Sequence, residues 1–195
     1  MRVNILDLIS QRTRLYRGLE HDKRFTKQLL CVAQLIKKSL AVGGKILIFG
    51  NGGSAAQAQH FAAELVCQFE KKRRALPAIA LTTDSSILTA QSNDFGFDAI
   101  FSRQIEALCR KDDVVIGLTT SDAKPGDAHS KNIREAFLTA HRLKAKTVGL
   151  FSSKTKSLLS LTDVSIIAPS TNTALTQEAH QSMIHLLCSL IEGEF

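Results

Sequence analysis

The sequence predicts an α/β fold: a doubly wound, five-stranded parallel sheet flanked by helices, with N-terminal helices and a long C-terminal helix. Three observations carry it. Five short apolar runs, at 45–49, 78–81, 114–118, 147–151 and 164–168, are rich in Val and Ile and apolar on both faces, as central strands of a parallel sheet are. Stretches with helical spacing alternate with them. Turns rich in Gly, Thr, Ser, Asn and Asp follow the first three runs.

Two helical patterns open the chain. Val3, Ile5, Leu6, Leu8, Ile9, Leu15 and Leu19 mark the first; Phe25, Leu29, Leu30, Val32, Leu35, Ile36 and Leu40 mark the second, which Gly43-Gly44 stops. Further helices are expected at about 55–67, 86–91, 99–109, 131–143 and 157–161, and a last one at about 172–192. No internal repeat or low-complexity linker interrupts the pattern. Residues 1–195 are therefore expected to form one domain, with the segment 1–42 packing on the core or on neighbouring subunits.

Composition narrows the function. With 44% hydrophobic and 22% charged residues, the 195-residue chain reads as globular. No apolar run approaches the ~20 residues a membrane helix needs. The start, Met1-Arg2-Val3-Asn4, leads into an amphipathic pattern with Asp7 and Arg12 and does not read as a signal peptide. Cys31, Cys67, Cys109 and Cys188 form no CxxC pair, so they are expected to be buried or inert thiols in a reduced cytoplasm. The formal charge of +7 comes with a dense run, Glu70-Lys71-Lys72-Arg73-Arg74, which reads as a solvated loop. Aromatic residues do not interleave with the basic ones, so nucleic acid is not expected. A basic surface suits an anionic small substrate.

Ligands of open α/β sheets bind beyond the carboxyl ends of the strands. The first strand run leads into Gly50-Asn51-Gly52-Gly53-Ser54 and a helix, which offers free N–H groups and a positive dipole end to an anion. The third leads into Thr119, Thr120 and Ser121, with Ser130 opening the next helix; these hydroxyls suit a phosphate. After the second, Asn93 and Asp94 can bind sugar hydroxyls or form an Asx turn. His60 and Glu64, at i and i+4, share a helix face and make a two-ligand clip for a divalent metal, or a structural pair. On the last helix Gln177, Glu178, His180 and His185 interrupt an apolar pattern and need partners. By spacing alone, Gln177 with His180 is an easier metal pair than Gln177 with His185.

The combination of 50–56, His60 through Glu64, the Leu76-Pro77-Ala78-Ile79-Ala80-Leu81 run, Asn93-Asp94-Phe95-Gly96-Phe97, and Gln177-Glu178 with His185 resembles the phosphoheptose isomerase family of the sugar isomerase (SIS) fold. The resemblance runs from the second helix to the C-terminus. It implies a homotetramer with active sites near subunit interfaces, and an aldose–ketose isomerisation of sedoheptulose 7-phosphate to D-glycero-D-manno-heptose 7-phosphate, the first step toward heptose for bacterial envelope glycans. It further implies one zinc per subunit on His60, Glu64, Gln177 and His185, so His185 rather than His180. Substrate would be held by Asn51, Gly52, Gly53, Ser54, Glu64, Asn93, Asp94, Thr119, Thr120, Ser121, Ser130 and Gln177. Glu64 is its candidate base and His185 its candidate acid for passage through an enediol.

The chain departs from the family pattern in places. Residues 122–129 stand where the family runs directly into Gly-Asn-Ser. They lengthen the phosphate loop and bring Asp122 and Asp127 toward the anion, with Lys124 to offset them. Gln68 replaces a frequent Arg, and Leu175-Thr176 a frequent Arg-Ile. Two other readings compete. One is a non-catalytic SIS phosphosugar-binding protein, like the bacterial protein that associates with the replication initiator. That relative lacks the acid and the imidazole that Glu64 and His185 supply here. The other is a nucleotide-binding oxidoreductase, which rests only on a loose glycine pattern.

Overall fold

The computed structural model describes residues 4–126 and 130–195. Val3 of the first helical pattern and Asp127 of the lengthened phosphate loop lie outside the described residues. The elements run α1 (Ile5–His21), α2 (Lys23–Ala41), β1 (Ile46–Gly50), α3 (Gly53–Val66), β2 (Ala78–Ala80), α4 (Ser85–Phe95), α5 (Ser102–Leu108), β3 (Val114–Thr119), α6 (Lys131–Arg142), β4 (Lys146–Ser152), β5 (Val164–Ala168) and α7 (Thr173–Glu192). The strands form one parallel sheet in the order β2-β1-β3-β4-β5. The order reverses between β1 and β3, which opens a crevice at their carboxyl ends.

Alternation along the strands builds two cores. Ile46, Ile48, Val114, Ile116, Val148 and Leu150 face α1, α2, α3 and α7. Leu47, Phe49, Val115 and Phe151 face α5 and α6. On that second face Gly117 leaves room for two rings: a Cβ there would stand 2.8 Å from Phe49 and press into Phe137. Phe49 packs on Phe101 at 5.2 Å and on Phe137 at 5.4 Å between centroids. Burying each ring is worth roughly 1.5–3 kcal/mol.

The N-terminal segment packs on the core. Leu15 and Leu19 of α1 are buried, Arg12 Nη2 donates to Glu178 Oε1 at 2.6 Å, and Tyr16 shares a 3.0 Å hydrogen bond with Ser182. The first turns of α1 leave Ile5, Leu6 and Ile9 more than half exposed.

Several expectations need correction. The helix expected at 86–91 is longer. Asp84 caps it, Oδ1 accepting from Ile87 N at 3.0 Å, and it runs through Asn93 and Asp94 to Gly96 at φ +90°. The helix at 99–109 is a 3-10 turn, Phe97–Ala99, followed by α5, and that at 157–161 is only a 3-10 turn, Leu159–Leu161. The charge run is not wholly solvated: the Arg73 side chain is 1% exposed and lies 4.0 Å from the equally buried Glu192 carboxylate. Cys31 and Cys67 are exposed rather than buried. Burial pushes the Cys109 thiol up to about 11 and the Cys188 thiol up to about 12, so those two stay protonated.

Candidate active site

The crevice holds a cavity of about 490 Å³ lined by Asn51, Gly52, Ser54, Thr119, Thr120, Ser121, Ser130 and Gln177 among the expected substrate residues. A groove of about 470 Å³ between α4 and α5 is walled almost wholly by carbon and lacks such convergence of polar groups. The glycine loop has the shape the site needs. Gly52 sits at φ +55°, ψ −122°, a conformation that only glycine adopts without strain. A Cβ on Gly53 would run into the Gln177 carboxamide.

The loop is tied to the opposite wall by a reciprocal amide pair. Asn51 Nδ2 donates to Asn132 Oδ1 at 3.0 Å, and Asn132 Nδ2 donates back to Asn51 Oδ1 at 2.9 Å. Asn132 is 1% exposed, and its Oδ1 also accepts from Ile133 N. Asn51 is thereby fixed from α6. Thr119 Oγ1 accepts from Ser121 N at 3.0 Å and shapes its own turn. Ser130 opens α6 at φ +58° with no side-chain cap on the helix.

Asp122 does not turn toward the anion. Its carboxylate accepts from Lys156 N, Ser157 N and Ser157 Oγ at 2.8–3.1 Å, which ties its loop to the one after β4. Partial burial would raise its pKa, but the hydrogen bonds from Ser157, Ala123 and Lys156 together outweigh that and hold it below the usual carboxylate value. Asn93 and Asp94 lie on the exposed last turn of α4, hydrogen-bonded to each other at 2.7 Å, and do not line the cavity.

A second cluster brings α3 to α7. His60 Nε2 lies 2.9 Å from His185 Nε2 and 3.4 Å from Glu64 Oε1. Gln181 Nε2 lies 3.0 Å from the same His185 nitrogen. His185 Nε2 is thus the atom on which His60 and Gln181 converge. The Phe69 ring stacks on His185 at 5.3 Å. Arg73 Nη2 donates to Glu64 O at 2.5 Å and fixes the backbone that carries the carboxylate. Gln177 stands one turn before Gln181 on α7, between this cluster and the cavity. His180, the easier partner by spacing, is turned into the core. Burial lowers its pKa to about 4; the Phe151 backbone opposes this only weakly, and neither ring nitrogen makes a well-formed hydrogen bond.

Two imidazoles and a carboxylate are zinc ligands in kind. As they stand, among the described residues no group of three or more His, Cys, Asp or Glu is spaced to hold an ion. The 2.9 Å contact is a hydrogen bond, shorter than the edge of about 3.3 Å of a tetrahedron with zinc-length bonds. The donor set fits in kind, and a small separation of the two rings would open it.

The SIS domain family matches residues 13–152. A phosphoheptose isomerase of Geobacter sulfurreducens is 47% identical over 171 residues, covering 88% of this chain and 87% of its own. The chain belongs to the phosphoheptose isomerase family. Another member, from Syntrophotalea carbinolica, is 52% identical over 161 residues, covering 83% of this chain and 79% of its own. The solved phosphoheptose isomerase of Neisseria gonorrhoeae superposes with a TM-score of 0.87 at 36% identity, covering 97% of each chain. That of Francisella tularensis gives 0.86 at 35% identity, covering 98% of this chain and 100% of that one.

Within this phosphoheptose isomerase fold, sequence reasoning missed Asn132, Gln181 and Arg73. Gln181 carried a signal: it stands four residues before His185, on the same face of the helix. Asn132 carried a weaker one, as a polar residue beside the apolar face of Ile133, Ala136 and Phe137.

Proposed function

We propose that the protein interconverts sedoheptulose 7-phosphate and D-glycero-D-manno-heptose 7-phosphate. The observation that carries this is the meeting of Glu64, His60 and His185 beside a hydroxyl-lined cavity at a sheet switch point. The names of the relatives support it.

The reaction moves a proton between adjacent carbons through an enediol. The phosphate rests among Ser54, Thr120, Ser121 and Ser130, at the N-terminal ends of α3 and α6, where the helix dipoles favour an anion. Glu64 takes the proton from the carbon beside the carbonyl and returns it to the neighbouring carbon. His185 exchanges the proton at oxygen, held by Gln181 and the stack on Phe69. The Asn51–Asn132 pair keeps the glycine loop at the depth the sugar needs. Zinc, one ion per subunit, belongs to this reading: His60, Glu64, Gln177 and His185 would hold it, and when bound it polarises the substrate's carbonyl and hydroxyl oxygens. Assembly as a homotetramer also belongs to it, with Asn93 and Asp94 serving sugar hydroxyls near a subunit interface and the exposed face of α1 covered. The setting is cytoplasmic; no helix among the described residues is long and apolar enough to cross a membrane.

The test follows the proton. In D2O, proton NMR of sedoheptulose 7-phosphate should show deuterium entering at the reacting carbons with wild-type protein. Glu64→Gln should abolish exchange while sugar-phosphate binding persists. Exchange at the wild-type rate in this variant removes Glu64 as the base.

A further inference from the structure

We propose that Lys131 is the residue by which this pocket selects a phosphorylated sugar, and that Asp98 holds its ammonium ready until the phosphate takes it over. The substrate named here rests on the isomerase reading above; the anion rests on the cavity alone.

Lys131 is the first residue of α6 and Asp98 lies on the 3-10 turn before α5; both line the cavity that contains Ser54, Thr120, Ser121 and Ser130. Lys131 Nζ stands 2.8 Å from Asp98 Oδ2. Among the described residues that line the cavity, Lys131 is the sole cation. A sugar phosphate brings close to two negative charges at neutral pH. Hydroxyls and N–H groups can accept the geometry of those oxygens but leave their charge unmatched. Thr119 is spent on its own turn, which shortens the hydroxyl set.

The ion pair has little to do as a structural tie. Its side chains are 46% and 48% exposed, and an exposed pair contributes roughly 0–1 kcal/mol to stability. It is therefore cheap to break, as a pair that yields to a ligand must be. Without a ligand, Asp98 neutralises Lys131 and keeps it extended at the cavity. With the dianion present, the ammonium gains the stronger partner, and Asp98 becomes a mild opponent of binding. Among the described residues, Asp122 is withdrawn to Ser157 and adds no counter-claim, and Glu135, one turn further along α6, attracts Lys131 more weakly than Asp98 does.

The experiment measures kcat and KM for sedoheptulose 7-phosphate, and the dissociation constant of inorganic phosphate by calorimetry, in wild type, Lys131→Met, Lys131→Arg and Asp98→Asn. Far-UV circular dichroism checks the fold of each. Lys131→Met should raise KM and the phosphate constant about tenfold, the loss of one charge-assisted contact, with kcat within about twofold. Lys131→Arg should recover most of that loss. Asp98→Asn should tighten phosphate by about threefold, and this arm decides the matter should Lys131→Met not fold. Phosphate binding unchanged in Lys131→Met, or weakened in Asp98→Asn, overturns the proposal. Phosphate binding that depends on Lys131 in a protein that turns over no heptose phosphate upholds it and overturns the isomerase reading instead.

Discussion

Replacing Arg73 by Met should be among the costliest single changes in this protein. The guanidinium donates to Glu64 O at 2.5 Å, Leu65 O at 2.8 Å and Arg74 O at 3.0 Å, and lies 4.0 Å from the Glu192 carboxylate. Both side chains are 1% exposed. Glu192 in turn accepts from Glu70 N at 3.1 Å and Lys71 N at 3.2 Å. Arg73→Met leaves those three carbonyls without their donor and Glu192 without the cation beside it, a loss of roughly 3–5 kcal/mol together. Glu192→Gln keeps an acceptor for one N–H and leaves Arg73 its three carbonyls, so it should cost about 1–2 kcal/mol. Urea unfolding at fixed protein concentration measures both. With a slope of about 2 kcal/mol/M, the Arg73→Met midpoint should fall by about 2 M and that of Glu192→Gln by less than half as much. Turnover should fall as well, because the same guanidinium holds the backbone of Glu64. Equal losses in the two variants, or a loss below about 1 kcal/mol in Arg73→Met, would refute the claim that Arg73 neutralises a buried acid.

Two further outcomes are expected. Treatment with a strong chelator should lower isomerase activity, and readdition of zinc should restore it; activity untouched in protein shown by elemental analysis to be metal-free contradicts the zinc proposal. His180 should make the fold acid-sensitive. Its folded pKa of about 4 lies below the unfolded value of about 6.5, so the unfolded chain takes up the proton first as pH falls. The stability it contributes is full above about pH 6.5 and is lost toward pH 4, on the order of 3 kcal/mol in all. Urea midpoints across that window should fall less steeply in His180→Phe than in wild type, and identical slopes dismiss the assignment.

The sheet was legible because its central strands are apolar on both faces, too short for helices and separated by helical patterns. Helix ends were harder. Asn93 and Asp94 are turn-forming residues by propensity, yet Asp84 nucleates a helix that carries them to Gly96. The segment at 157–161 has helical spacing, but only a 3-10 turn forms there, beside a backbone that Asp122 anchors from another loop. In the site, the glycine loop and the hydroxyl turn could be placed from strand ends alone, and His60 with Glu64 from an i, i+4 spacing. Spacing made Gln177 with His180 the easier metal pair, but α7 turns His180 into the core and brings His185 to His60. Arg73 was hidden inside a charge run because its partner Glu192 arrives only at the end of α7. Asp122 looked like a threat to a phosphate because the residues that claim it, Lys156 and Ser157, are distant in sequence.

The most direct test of the central claim is the turnover of sedoheptulose 7-phosphate by the purified protein, with zinc measured on the same sample. The expected result is formation of the heptose 7-phosphate aldose with about one zinc per chain. A folded oligomer that binds the sugar phosphate but forms no aldose, with zinc or without it, contradicts the isomerase and leaves a protein that only binds phosphosugars.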